Sequence, residues 1–279
     1  MPELPEVETL RRGVDQHITG RRLQSVELRR RDLRWPIPVA RVRALSQRRC
    51  LAIERRAKYL LFHFDGSPRE VAMVHLGMSG QLFVDISRRN QPEPPWQLHE
   101  HWRMQFQGRL LRYVDARRFG MLDVTREEDL DRHPLLASLG PEPLSDDFSA
   151  DYLHRISRRR KASIKTLVMN AKIVAGVGNI YASEACHRAG LRPRRAAGSM
   201  TRRQCSALVI AIREVLQDAI RWGGTTIRDY RSIDQRAGYF AQKLRVYGLE
   251  AEPCRRCQTP IRRVVEGARS TYYCPSCQA

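Results

Sequence analysis

The arrangement Cys254-x2-Cys257, sixteen intervening residues, then Cys274-x2-Cys277 constrains this chain more than any other feature it carries. Two such pairs at that distance have the spacing of two knuckles closing on one tetrahedral metal centre. Four thiolates suit zinc and leave no open coordination position, so the single ion expected here is structural. Disulfides or a redox pair are the competing uses of such cysteines. Between the pairs, Ile261, Val264 and Val265 precede Gly267, and Tyr272–Tyr273 follow it, a pattern that suits a β-hairpin. Cys50, Cys186 and Cys205 lie among apolar neighbours and read as buried thiols.

Charge narrows the partner. Fifty Lys and Arg against thirty Asp and Glu leave a formal net charge of +20 over 279 residues. That balance predicts a polyanion, either nucleic acid or an anionic membrane surface. No stretch approaches 18 apolar residues, the N-terminus has no apolar signal core, and no basic amphipathic helix stands out. A cytoplasmic protein that binds nucleic acid, with no membrane partner, is therefore expected. Only five of the basic residues are lysine (Lys58, Lys161, Lys165, Lys172 and Lys243). Arginine is the fork-shaped phosphate binder, although a coding bias also raises its share.

Along the chain, Val7, Leu10, Val14 and Ile18 recur at helical spacing and Gly20 supplies a stop. The texture then turns β-like, with apolar runs at 51–53, 59–64, 71–76, 82–86, 102–106, 110–114 and 119–124 separated by turn signals. About eight short strands at this spacing predict a sandwich or barrel. Residues 87–98 have the composition of a surface loop. The Pro-, Gly- and Ser-rich stretch around 134–149 reads as a linker, and helices follow at 164–169, 180–188 and 205–220, the last with Thr201 as N-cap. The expected division is 1–133, linker 134–149, 150–243 and 244–279.

The first residues, MPELPEVETLRRG, carry the chemistry. If Met1 is removed, Pro2 becomes an N-terminal secondary amine able to attack an electrophilic carbon and form an iminium. Its reference pKa of roughly 7.7–8.0 leaves much of it unprotonated near neutral pH. Acidic residues here are equally what a helix start requires. Further on, Gly176 and Gly178 form a tight turn before Asn179, a helix-start geometry that binds phosphate. HLGMSG (75–80) and DARRFG (115–120) place Met78, Arg117 and Phe119 at strand-end turns, where an apolar wedge enters a base stack beside a guanidinium. Core packing for Met78 and Phe119, and a solvated Arg117, are the ordinary alternatives.

Taken together, MPELPEVETLRRG, RRAKYLLF (55–62), HLGMSG, DARRFG, GVGNIYASE, GGTTIRDY (223–230), GYF and VYG (238–248) and the ribbon ending RSTYYCPSCQ resemble the formamidopyrimidine-DNA glycosylase family across essentially the whole chain. The resemblance implies an α+β multidomain fold: an N-terminal helix with a β-sandwich, a helix–two-turn–helix domain and a C-terminal four-cysteine zinc ribbon. It implies a monomeric, nucleoid-associated bacterial enzyme of base excision repair. Such an enzyme excises 8-oxoguanine and formamidopyrimidines from double-stranded DNA and cleaves the abasic site by β,δ-elimination. Pro2 then matches the nucleophile, Glu3 the acid/base at the ribose ring oxygen, Glu6 a second acidic group and Lys58 an essential lysine. Met78, Arg117 and Phe119 match residues that fill the space a flipped base vacates, with His99 and Arg118 in the same DNA-binding set. Lys165, Asn179 and Arg269 match phosphate contacts, and residues from about 225 to 239 a lesion-capping loop. An endonuclease VIII-like preference for pyrimidines and a non-catalytic DNA-binding ribbon protein are the alternatives. Ala57 stands where the family commonly has glycine, and Asn170 where it has an acidic residue.

Overall fold

A computed structural model of the chain describes residues 2–86, 94–225 and 239–279. It falls into two compact units, Met1–Ala137 with Thr225–Gly238, and Ser138–Gly224 with Tyr239–Ala279. The expected lesion-capping loop, apart from its two ends, and the first part of the 87–98 loop lie outside the described residues.

In the first unit, helix α1 (Leu4–Ile18) begins at an extended Glu3, with Pro5 in its first turn. Proline is tolerated there because the first N–H groups have no intrahelical partner. Glu3 and Glu6 form a capping box, in which the Glu6 carboxylate accepts the Glu3 backbone N–H at 2.9 Å. The stripe Val7, Leu10, Val14 and Ile18 is buried, as the helical spacing predicts.

Eight strands follow, interrupted by the short helix α2 (Val39–Ala44): β1 (Leu23–Leu28), β2 (Cys50–Arg56), β3 (Tyr59–Phe64), β4 (Glu70–His75), β5 (Gln81–Ile86), β6 (Glu100–Phe106), β7 (Arg109–Val114) and β8 (Met121–Arg126). They form two four-stranded antiparallel sheets, ordered β1-β6-β7-β5 and β2-β3-β4-β8. One core joins the α1 stripe to inward residues of both sheets, among them Phe62, Val74, Trp102, Met104 and Leu122. Trp102 stacks on Tyr113 with ring centroids 5.1 Å apart. The last β-like run begins two residues later than its apolar pattern suggests. Phe119 stays outside β8 and keeps 41% of its surface exposed.

The second unit contains α3 (Ala150–Ser157), α4 (Ile164–Met169), α5 (Asn179–Arg188) and α6 (Arg202–Arg221), then the hairpin β9 (Arg262–Glu266) and β10 (Arg269–Tyr273). Thr201 caps α6 in a capping box with Gln204. Leu208, Ile212, Val215 and Leu216 of α6 pack on Ile180, Tyr181 and Ala185 of α5 in a single core. No described helix is long and apolar enough to cross a membrane.

Candidate active site and nucleic-acid interface

Pro2, Glu3 and Glu6 are all buried at the head of α1, with Glu3 and Glu6 each 3% exposed. A carboxylate this enclosed must have its oxygens satisfied. Glu6 does so in two directions. Its Oε2 holds the Glu3 N–H, and its Oε1 accepts the Thr225 N–H at 2.8 Å and the Thr225 hydroxyl at 2.9 Å. Glu6 thus fixes the backbone immediately before α1. Thr225, buried at 2% exposure, is a partner that sequence spacing does not reveal.

Lys58 lies in the β2–β3 turn beside Ala57, which takes the left-handed region at φ +52°. Glycine takes that conformation without strain, so the residue that departs from the family pattern occupies the position where the pattern has a physical reason. A guanidinium ties the turn to the helix. Arg55 donates from Nε to Glu8 Oε2 at 3.1 Å and from Nη1 to the Ala57 carbonyl at 3.0 Å. The chain thereby brings the Lys58 turn and the helix carrying Pro2 and Glu3 into one framework. His75 lies across the β3–β4 pair from Tyr59, their rings 4.8 Å apart, and its Nδ1 accepts the Gly77 N–H at 3.0 Å. Burial, then the positive charges of Lys58 and Arg34, hold its pKa down at about 4. It is therefore a neutral imidazole at physiological pH.

Met78, Arg117 and Phe119, the expected wedge, form a second cluster in the same unit. Met78 and Phe119 are 40% and 41% exposed, and the Arg117 guanidinium lies over the Phe119 ring at 4.8 Å from its centroid. Their two turns are joined at Asp115, whose exposure is 0%. Its Oδ1 accepts from the Ser79 hydroxyl at 2.6 Å and from the Arg117 N–H at 3.2 Å. Oδ2 accepts from the Gly120 N–H at 2.8 Å and the Tyr113 hydroxyl at 3.1 Å. Burial and the adjacent Asp115 carboxylate raise the Tyr113 phenol, so it stays a donor. The turns also touch through backbone. A Cβ on Gly77 would overlap the Phe119 carbonyl, and one on Gly120 the Tyr113 hydroxyl. His99 and Arg118, both at positive φ, flank this cluster. The His99 carbonyl accepts the Asp115 N–H at 2.9 Å.

In the second unit, Gly176 at φ +83° turns the chain into α5, whose N-cap is Gly178. Asn179 Nδ2 donates to the Ser270 carbonyl of β10 at 3.0 Å. Lys165 is 2% exposed, and its ammonium donates to the same carbonyl at 2.9 Å and to the Thr271 hydroxyl at 2.7 Å. Both residues therefore attach the helical layer to the hairpin that carries the exposed Arg269. Glu184, which sequence reasoning left without a role, is 4% exposed and accepts the backbone N–H groups of Arg245, Val246 and Tyr247 at 2.9–3.1 Å. Burial pushes its carboxyl up despite those donors.

The sulfurs of Cys254, Cys257, Cys274 and Cys277 all lie within 4.8 Å of one another. Cys254–Cys277 and Cys257–Cys274 are 3.9 and 3.4 Å apart. Zinc bound tetrahedrally at about 2.3 Å to each sulfur sets its ligands roughly 3.8 Å apart, so the donor set and spacing fit one zinc ion.

Family models match the chain in three consecutive stretches. They are the formamidopyrimidine-DNA glycosylase N-terminal domain over residues 1–122, the H2TH domain of the same proteins over 139–231, and a zinc finger found in Fpg and IleRS over 251–279. The chain is 50% identical over 279 residues to a formamidopyrimidine-DNA glycosylase of Thioalkalivibrio sulfidiphilus, and 48% over 278 to one of Cellvibrio japonicus, covering all of each. Its structure is similar to the MutM (Fpg) protein of Thermus thermophilus, with a TM-score of 0.86 at 38% identity over 99% of this chain and 98% of that one. It is similar also to Lactococcus lactis Fpg in complex with DNA containing an abasic site, with a TM-score of 0.90 at 30% identity over 99% of both chains.

Proposed function

Because the chain belongs to the formamidopyrimidine-DNA glycosylase family, we propose that it excises oxidised purines from duplex DNA and then cleaves the abasic strand through a Schiff base at Pro2. A base inside a duplex is out of reach and must be flipped into the protein, leaving a gap in the stack. Met78, Arg117 and Phe119, held as one cluster, fill that gap with two apolar tips and a cation.

The flipped nucleoside meets the head of α1. The Pro2 nitrogen attacks the sugar C1′ as the bond to the damaged base breaks, and the departing base takes up the proton that the amine loses. The nitrogen lone pair then forms the iminium with C1′ and expels the ribose ring oxygen, which Glu3 protonates as the ring opens. The iminium acidifies the C2′ proton, whose removal expels the 3′ phosphate. A second elimination expels the 5′ phosphate, and hydrolysis returns the free amine. No metal takes part, and the zinc ion keeps the ribbon folded. Glu6 positions Glu3 through its backbone N–H, and Lys58 supplies a positive charge for the lesion phosphate. Asn179, Lys165 and Arg269 belong to the phosphate-binding unit, Asn179 and Lys165 acting partly through the hairpin they hold.

The observation that supports this reading best is the buried Pro2–Glu3–Glu6 cap at the head of α1, the helix that Arg55 ties through Glu8 to the Lys58 turn. Borohydride reduction on a duplex containing 8-oxoguanine opposite cytosine should trap a covalent adduct, and mass mapping should place it on Pro2. No adduct with Met1-processed protein overturns the proposal. Faster cleavage of a thymine-glycol duplex moves the substrate to the pyrimidine class.

A further inference from the structure

The second unit contains a cavity of about 490 Å³ whose wall includes Trp222, Lys243, Arg245, Arg255 and Arg256. We propose that it is a second ligand site, one that binds a free nucleoside di- or triphosphate, with the base on Trp222 and the phosphates on the arginines.

The charge balance is the first reason. Asp218, the one carboxylate among the cavity's described lining residues, is engaged with Arg188 at 3.1 Å and Arg221 at 3.7 Å, and Glu214 also binds Arg188 at 3.1 Å. Arg245 and Arg256 make no side-chain hydrogen bond with the described residues, although the Arg245 charge acts on the buried Glu184 carboxylate. Arg255 reaches only the Gln242 carbonyl, at 3.4 Å. Like charges gathered in excess of their counter-ions repel one another, and an oligophosphate relieves that repulsion through the planar guanidinium fork.

The second reason is shape. Trp222 leaves 47% of its surface exposed, and the Lys243 ammonium already sits 4.8 Å from its ring centroid. A flat ring beside convergent cations is the pairing that binds a base and its phosphate together. The volume falls within the roughly 300–1,000 Å³ of small-molecule sites. It is too small to admit a duplex.

Position separates the cavity from the phosphate-binding end of α5. Arg188 and Asn179 stand at opposite ends of that helix, nine residues apart, or about 13 Å at 1.5 Å per residue. Asn179 turns to the β10 hairpin, whereas the cavity takes Arg255 and Arg256 from the first zinc knuckle.

The test is isothermal titration of the zinc-loaded full chain with ADP, inorganic pyrophosphate, adenosine and hexaglutamate. Saturable one-to-one binding of ADP is expected, with pyrophosphate about tenfold weaker, as the loss of one stacked base predicts, and adenosine silent. Trp222→Ala should erase the preference for ADP over pyrophosphate, while Arg256→Gln weakens both and leaves base excision unchanged. Lys243→Gln, at an exposed position, repeats the phosphate test away from the zinc knuckle. Saturation with an abasic-site duplex should leave ADP binding intact. Absence of ADP binding, equal affinity for hexaglutamate, or displacement of ADP by the duplex overturns the proposal, the last assigning these cations to the DNA surface.

Discussion

Ser79 donates its hydroxyl to Asp115 Oδ1 at 2.6 Å, across 36 residues of sequence, and that bond couples the turn bearing Met78 to the turn bearing Arg117 and Phe119. Because the Asp115 carboxylate also receives the N–H groups of Arg117 and Gly120, it cannot be replaced by an amide without setting donor against donor. Asp115→Asn should destabilise the first unit by about 2–4 kcal/mol, the cost of buried groups left unpaired. It should slow excision from duplex substrate more than it weakens binding. Thermal unfolding and single-turnover excision measure the two effects, and an unchanged melting temperature would refute the coupling.

The Glu6 carboxylate lies between Thr225 and the Glu3 backbone. Glu6→Gln turns one acceptor into a donor facing an N–H, at a cost of roughly 1–3 kcal/mol. Displacement of Glu3 should lower the excision rate by about tenfold or more, within the range of a misplaced acid–base group. Duplex affinity should hardly move. Parallel rate and affinity measurements decide it, because a purely structural Glu6 would lower both together.

Removal of zinc should release the hairpin that Lys165 and Asn179 hold. Without the ion the four sulfurs take up protons and nothing ties the two knuckles together, so Lys165 loses the acceptors that make its burial tolerable. Chelation is expected to lower the melting temperature and weaken duplex binding, and added zinc to restore both. Calorimetry with and without chelator is the check. Duplex affinity unaffected by complete zinc loss would contradict it.

His75 provides the pH dependence. Its folded pKa, about 4, lies below the ordinary histidine value of 6.5. Between those values the unfolded chain binds the extra proton, so stability falls as pH drops from about 6.5 to about 4 and this contribution levels off below. The full effect is on the order of 3 kcal/mol. His75→Asn keeps an acceptor for the Gly77 N–H and does not titrate, so the difference in stability between wild type and variant should shrink across that window. Denaturant titrations at pH 7, 5.5 and 4.5 would show a constant difference if His75 were not the source.

Much of the architecture was legible in the sequence because it rests on periodicity. The α1 stripe, the alternating strands, the Thr201 cap and the cysteine spacing all repeat at distances the chain displays openly. The supports of the site were not legible, since Thr225, Arg55, Tyr113 and Asp115 act through specific hydrogen bonds that follow no sequence period. Thr225 meets Glu6 across 219 residues. Asp115 stood inside a conspicuous motif, yet its neighbours Arg117 and Phe119 drew the functional reading, because a buried carboxylate shows its importance only once its donors are known. Lys165 is similar: its charge suggests a phosphate, and its burial against the hairpin emerges only in three dimensions.

Gly77 and Phe119 touch through main chain, with no space for a side chain between them. A sequence that drifts, or a designer who edits, can therefore change what Met78 and Phe119 expose at these turns only by altering those side chains. The stems admit no compensating adjustment, since a shift of either turn carries the other with it. Altered opposite-base preference should accordingly arise at Met78, Arg117 or Phe119 themselves, while the glycines and the aspartate beneath them stay invariant.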